Sequence, residues 1–326
     1  MRPELLDILV CPSCHGALAL IDAREAEHEV ESGLLRCAAC TRDYPIVRFI
    51  PRFVPQENYA SSFGFQWNRF PRTQLDSYSG VPITRERFVA STNWSADAMA
   101  GALVLDVGCG SGRFAEVSLS MGARVVAVDY SSAIDAARAN LNHFPNAYFV
   151  QADIYHLPFR PESFDFVYCL GVLQHTPDVK RAFLSLVPPL KHGGRIAVDL
   201  YPKTWMNLVW PKTWLRPITK RMRRDRLFAL VERAVPVLLP VSRAVAKIPL
   251  AGRKLKHFVP VSNYAGVYPL NEQQLNEWAI LDTFDLLSPA YDSPQNAATL
   301  RRWFDGAGLH DVEITRPGHL VGRGTR

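Results

Sequence analysis

The chain has 326 residues, 48% hydrophobic and 21% charged, enough to bury a full core as one large domain plus something smaller, so a globular protein is expected. Its net charge of +6 is concentrated between Tyr201 and His257, where 14 Lys/Arg face only Asp225 and Glu232, while the remainder is net acidic. No run reaches the roughly 18 apolar residues of a membrane span, and Met1–Val10 carries no cleavage-site pattern, so a cytoplasmic protein is expected, with a peripheral membrane position left open.

The first module spans 1–50 and is set by its cysteines. Cys11-Pro-Ser-Cys14 and Cys37-Ala-Ala-Cys40 are separated by 22 residues, and four thiolates in this arrangement suit a closed tetrahedral Zn2+ site that is structural rather than catalytic. Cys109 and Cys169 fall singly in apolar runs, so no disulfide framework is expected and the compartment is reducing. Leu5–Leu18, with Tyr44-Pro-Ile46, resembles the small zinc-ribbon proteins that activate tRNA and protein methyltransferases. The resemblance implies fold support or docking of a protein partner.

Residues 51–100 form a Pro- and aromatic-rich connector, and 101–326 alternate strands and helices. Strands are expected at Leu103–Val107, Arg124–Val128, Tyr148–Gln151, Asp165–Tyr168 and Arg195–Leu200, with Ser132 and Asp135 as a capping box and Gly122 ending the preceding helix. Such alternation gives a mainly parallel sheet covered on both faces. At about 202–296 a basic, Pro-punctuated insertion interrupts the rhythm, with an apolar run Leu227–Leu250 broken by Pro236, Pro240 and Pro249. Thr299–Ala307 then resumes as a helix, followed by strands at Asp311–Thr315 and His319–Gly322.

Val104–Phe114 puts an apolar strand before Gly108, Gly110 and Gly112, where glycine permits a tight turn and close approach to a ligand. A dinucleotide loop would need glycine where Arg113 stands. Acidic residues end successive strands at Asp106, Asp129 and Asp153.

Val104–Phe114, Val125–Ser131, Gln151–Phe159, Phe164–Asp178 and Leu190–Leu200 resemble, in order, the motifs of class I S-adenosylmethionine-dependent methyltransferases. The resemblance implies an α/β, Rossmann-like sheet of seven mostly parallel strands, one antiparallel. It implies S-adenosylmethionine held by Asp106, Gly108, Cys109, Gly110, Gly112, Asp129, Tyr130, Asp153, Ile154 and Leu170. In this reading Asp106 faces the cationic sulfonium, Asp129 takes both ribose hydroxyls, and Asp153 takes the adenine amine over Ile154. The aromatic stretch Tyr59–Phe70 is either a helical lid over the donor or plain core packing.

A bound sulfonium needs only an aligned nucleophile and, for a hydroxyl or amine, a base. His175, just past the fourth strand, is the leading candidate base, with a ligand-lining or capping role as its alternative. Tyr155, Asp199 and Tyr201 are weaker candidates. The basic insertion at 203–257 leaves three readings open: a cap over the acceptor pocket, a peripheral membrane contact, or a grip on nucleic acid. Asp282–Asp292 is dense in acids and aromatics and is a candidate to face the site. Methyl transfer to oxygen or nitrogen of a small-molecule or lipid-linked glycan acceptor leads. An RNA methyltransferase and a non-catalytic binding module remain the alternatives.

Overall fold

The computed structural model describes residues 1–55, 58–205 and 209–326. Residues 206–208 of the basic insertion lie outside them.

Two sheets organise the chain. The smaller is antiparallel, in the order β1 (Leu18–Ala26), β2 (Glu29–Cys37), β3 (Asp43–Val47) and β4 (Ile50–Pro51). The larger has seven strands: β5 (Leu103–Val107), β6 (Arg124–Asp129), β7 (Ala147–Gln151), β8 (Phe164–Cys169), β9 (Leu190–Leu200), β10 (His310–Thr315) and β11 (Leu320–Thr325). They run in the order β10-β11-β9-β8-β5-β6-β7, with β11 antiparallel to both neighbours. This is the sheet that the resemblance implied. Strand β5 is buried at every position, because helices cover both faces and leave no reason for alternation.

The helices that position the site are α1 (Ser61–Arg69), α2 (Ile83–Thr92), α3 (Arg113–Ser120), α4 (Ala133–Leu141) and α5 (Val179–Leu184). Gly122, at φ +83°, ends the turn after α3 as expected. The expected Ser132–Asp135 capping box does not form. Ser131 Oγ accepts from the amide of Ala133 instead, and Asp135 turns outward to pair with Arg52 at 2.7 Å.

The insertion between β9 and β10 is helical, with α6 (Pro211–Thr219), α7 (Arg224–Ala246) and α8 (Glu272–Leu287) leading into α9 (Ala297–Gly306). Helix α7 runs unbroken through Pro236 and Pro240, contrary to expectation. The two prolines are four residues apart on the exposed face, where the carbonyls they leave without an amide partner can meet water. The opposite face buries Leu227, Phe228, Val231, Val235 and Leu239 against α8 and against Phe65 and Phe70.

The cysteine module shares a core with the large sheet: Leu5, Leu9, Val30 and Leu35 pack in one cluster with Val150, Ile154 and Phe159. Backbone bonds from Val10 to Pro158 (2.9 Å) and from Phe53 to Gln151 (2.8 Å) stitch it to the β7 side. No helix among the described residues is long and apolar enough to cross a membrane.

Candidate active site

The glycine-rich turn follows β5, and its three glycines all take positive φ, each for its own reason. A Cβ on Gly108 would lie 2.4 Å from Val172, and one on Gly110 would lie 3.0 Å from the Trp67 indole of α1. A Cβ on Gly112 would meet Leu141 at 2.6 Å, so Gly112 serves the packing of α4. The Gly110 amide donates to Asp129 Oδ2 at 2.9 Å, while the Ser131 amide and hydroxyl donate to Oδ1 at 2.8 and 2.6 Å. A carboxylate offers about four acceptor positions, so roughly one is left for a ligand rather than the two expected.

The turn opens onto a cavity of about 350 Å³. Gly108, Cys109, Gly110, Asp129, Tyr130, Ile154 and Leu170 line it together, and His175 lines it too. Asp106, Gly112 and Asp153 do not line it. Asp106 sits behind the turn, 2% exposed, where burial pushes its carboxyl up to about 8. Its place behind the turn keeps it off the cavity wall, where the expected sulfonium contact would be made. Asp153 caps the short turn Ile154–His156, its Oδ1 accepting from the Tyr155 amide at 3.0 Å, and it does not itself line the cavity.

His175 Nδ1 lies 3.0 Å from the carbonyl oxygen of Tyr291, which can only accept. Nδ1 therefore carries the proton in the neutral ring and Nε2 keeps its lone pair. Phe63 and Tyr201 flank the ring, their centroids 5.3 and 5.5 Å away. Of the weaker candidates, Tyr201 lines the cavity. The Tyr155 hydroxyl is occupied by the backbone of Asp178, and Asp199 pairs with Arg87 at 2.8 Å. Burial raises the Asp199 carboxyl, but Arg87 outweighs it and holds the group below its ordinary range.

The aromatic stretch and the insertion supply much of the remaining wall. Tyr59, Phe63, Gln66 and Trp67 come from α1 and its lead-in, while Tyr264, Tyr268, Trp278, Asp282 and Asp285 come from the insertion. Thus part of the aromatic stretch lines the cavity while Phe65 and Phe70 pack in the core, and Asp282–Asp292 reaches the site through Asp282 and Asp285. Asp282 accepts from Gln74 (3.0 Å), Trp278 (3.1 Å) and the Tyr264 hydroxyl, yet burial still pushes it up to about 6. Gln66 is 1% exposed and lines the cavity beside Asp285, whose carboxylate its amide helps to stabilise. Sequence reasoning missed Arg87 and Arg113, which also line the cavity. Burial lowers Arg113 to about 10, which leaves it charged at neutral pH. Isolated arginines in helices give no sequence signal, although Arg113 directly follows the glycine turn.

The four cysteine sulfurs lie within 4.8 Å of one another, with Cys11–Cys40 at 3.7 Å and Cys14–Cys37 at 3.4 Å. Tetrahedral thiolates about 2.3 Å from a zinc ion stand about 3.8 Å apart, so the cysteines are positioned to hold a metal. Gly16 is obligatory beside them: a Cβ there would come within 3.0 Å of Cys37 Sγ.

The sheet order and the glycine turn define a class I methyltransferase fold with a four-cysteine module at its N-terminus. Comparison with known families agrees: residues 105–198 match the methyltransferase domain family and residues 2–48 the Trm112p-like protein family. Among curated proteins, the chain is 36% identical over 122 residues to a demethylmenaquinone methyltransferase of Thermobifida fusca, covering 36% of this chain and 52% of that one. It is 34% identical over 110 residues to a ubiquinone biosynthesis O-methyltransferase of Xanthomonas euvesicatoria, covering 32% and 46%. The chain thus spans about half the length of these relatives. Among solved structures, the complex of the Haloferax volcanii Trm112 methyltransferase activator with a putative methyltransferase aligns over 83% of this chain and 98% of that one, at 16% identity and a TM-score of 0.44.

Proposed function

We propose that the protein transfers the methyl group of S-adenosylmethionine to an oxygen or nitrogen of a small-molecule or lipid-linked glycan acceptor. The observation that carries this reading is the shared cavity, where Asp129 and the Gly108–Ser111 turn stand on one side and His175, with Nε2 free of its proton, on another. Bound S-adenosylmethionine supplies an electrophilic methyl group on a sulfonium. Asp129 offers its remaining acceptor position to the ribose, Tyr130 and Ile154 flank the adenine, and Leu170 packs beside the donor. Arg113 answers the donor's carboxylate. Asp106 and Gly112 act from behind, positioning the turn.

His175 Nε2 takes the proton of the attacking hydroxyl or amine as the new bond to the methyl carbon forms and the carbon–sulfur bond breaks, its electron pair remaining on a neutral thioether. The Tyr291 carbonyl holds the tautomer that this step requires. Cys11, Cys14, Cys37 and Cys40 hold a structural Zn2+, and the module supports the catalytic domain within the same chain.

The insertion is the face that meets an anionic lipid surface. It exposes Trp205 (75%), Trp214 (71%) and Ile218 (67%) among its many cations. Flotation with phosphatidylglycerol vesicles tests this, and a Trp214→Ser, Ile218→Ser double variant should float less. Salt-steep RNA binding without flotation would favour the nucleic-acid reading instead.

The donor reading is tested by calorimetric titration with S-adenosylmethionine and S-adenosylhomocysteine. Asp129→Ala should weaken both by tenfold or more, whereas Asp106→Asn should change them by less than about threefold. Equal loss in the two variants, or no binding by folded wild type, would overturn it.

A further inference from the structure

The cavity adjoins a second chamber of about 620 Å³, which neither the glycine turn nor His175 lines; Tyr201, Ser262, Tyr264, Leu286 and His319 line both, and we take this shared boundary as the neck between them. The geometry points to a role for this chamber: it holds the hydrocarbon or isoprenoid part of an amphiphilic acceptor, whose polar head passes the neck to reach His175. This rests on the methyltransferase reading above and adds to it the chemical class of the substrate and the place of its tail.

Three observations support the assignment. First, the exposed lining of the chamber is mostly apolar, with Trp210, Val259, Val261, Val267 and Leu287 contributing and Lys212, Lys256 and Arg316 as the charged groups on its wall, and its volume falls in the range of about 300–1,000 Å³ typical of small-molecule sites. A small polar acceptor would leave such a wall without a use, whereas an apolar chain gains by covering it, at about 25 cal/mol for each Å² removed from water. Second, the neck carries polar groups where a head would join its tail. Burial pushes His319 down to about 4, so its ring is neutral and presents no charge that a passing chain would have to desolvate. Third, the chamber is bounded by the insertion that bears the exposed Trp205, Trp214 and Ile218, so a chain drawn from a lipid surface would enter where the protein meets that surface.

Titration of the full chain with cis-parinaric acid, a polyene fatty acid that fluoresces when buried, followed by displacement with geranylgeraniol, tests the proposal. One saturable site per chain is expected, with affinity falling tenfold or more in Val261→Trp, which fills the chamber. Val267→Trp is the second variant. Val267 lines the chamber yet is 56% exposed, so the change should not compromise folding. S-adenosylhomocysteine titration of the same samples reads the donor site separately. Lost parinarate binding with retained S-adenosylhomocysteine binding supports the chamber. Parinarate binding that does not saturate, or that both tryptophan variants leave unchanged, overturns it. Filler-sensitive parinarate binding in a wild-type protein that does not bind S-adenosylhomocysteine would overturn the donor reading, and the acceptor role of the chamber with it.

Discussion

The guanidinium of Arg52 lies 2.7 Å from the carboxylate of Asp135 and donates to Gln151 Oε1 at 2.8 Å. One side chain just after β4 therefore grips both α4 and the end of β7. Gln151 in turn donates to the carbonyl of Tyr130 at 3.1 Å, beside the cavity. Arg52 is 7% and Asp135 20% exposed, so removing the arginine leaves a half-buried carboxylate with only Arg48, 4.0 Å away, as its cationic partner. Arg52→Met should lower stability by about 2 kcal/mol, less than the roughly 3–5 kcal/mol of a fully buried and uncompensated partner because Asp135 keeps some solvent and Arg48. Urea denaturation measures it, and a loss below about 1 kcal/mol would show that the pair does not hold the modules together.

Much of this arrangement was legible from residue order. The five expected strands and the final pair recur within a few residues, because buried parallel strands leave continuous apolar runs and glycines mark their ends. What residue order did not report was side-chain direction, and the capping box is the clearest case. Ser132 and Asp135 have capping-box spacing, but a buried arginine from 83 residues earlier in the chain competes for the aspartate. Asp153 likewise satisfies its own local turn, and Asp106 points into the core. Only the folded chain brings Arg52 to Asp135 or Asp282 to Gln74, so no local pattern could report those contacts. The acceptor wall was the least legible part, because the insertion that builds it has no periodic motif beyond its helices.

The cysteine module should contain one zinc ion per chain, and removing it should destabilise the whole protein. Small ribbons draw much of their folding free energy from the metal, and here Cys11 and Cys37 belong to the same buried cluster as Val150 and Ile154. Treatment with a strong chelator should therefore lower the melting temperature of a single, shared transition. If calorimetry instead resolved a low transition for the module and an unchanged one for the catalytic domain, the common core would not be coupling them.

His175→Asn separates the base from its support. The asparagine amide can still donate to the Tyr291 carbonyl, but it offers no lone pair of imidazole basicity at the Nε2 position. With an accepted substrate, kcat should fall by about 10² to 10⁴, the usual contribution of a positioned base. The S-adenosylhomocysteine dissociation constant should stay within about threefold of wild type. An unchanged kcat would assign His175 to lining the cavity and move proton removal to water.

Asp106 should make stability fall as pH rises from about 4 to 8, against the opposite contribution of His319, which burial holds down to about 4. The Asp106 carboxyl is pushed up to about 8 by burial, and one oxygen, Oδ2, has no hydrogen-bond partner. Asp282, pushed up to about 6, adds to the lower half of the window. Across that range these two carboxyls retain in the folded chain protons that the unfolded chain has released, so their contribution is complete below the unfolded value and is lost as pH passes the folded one. Asp106→Asn cannot ionise and removes this term. Urea midpoints for the variant should vary less between pH 5 and 8 than those of wild type, with the variant gaining relative stability at the alkaline end by a few kcal/mol. Parallel pH profiles for the two proteins would mean that Asp106 is ionised in the fold, which would return it to the role of a charged partner for the donor.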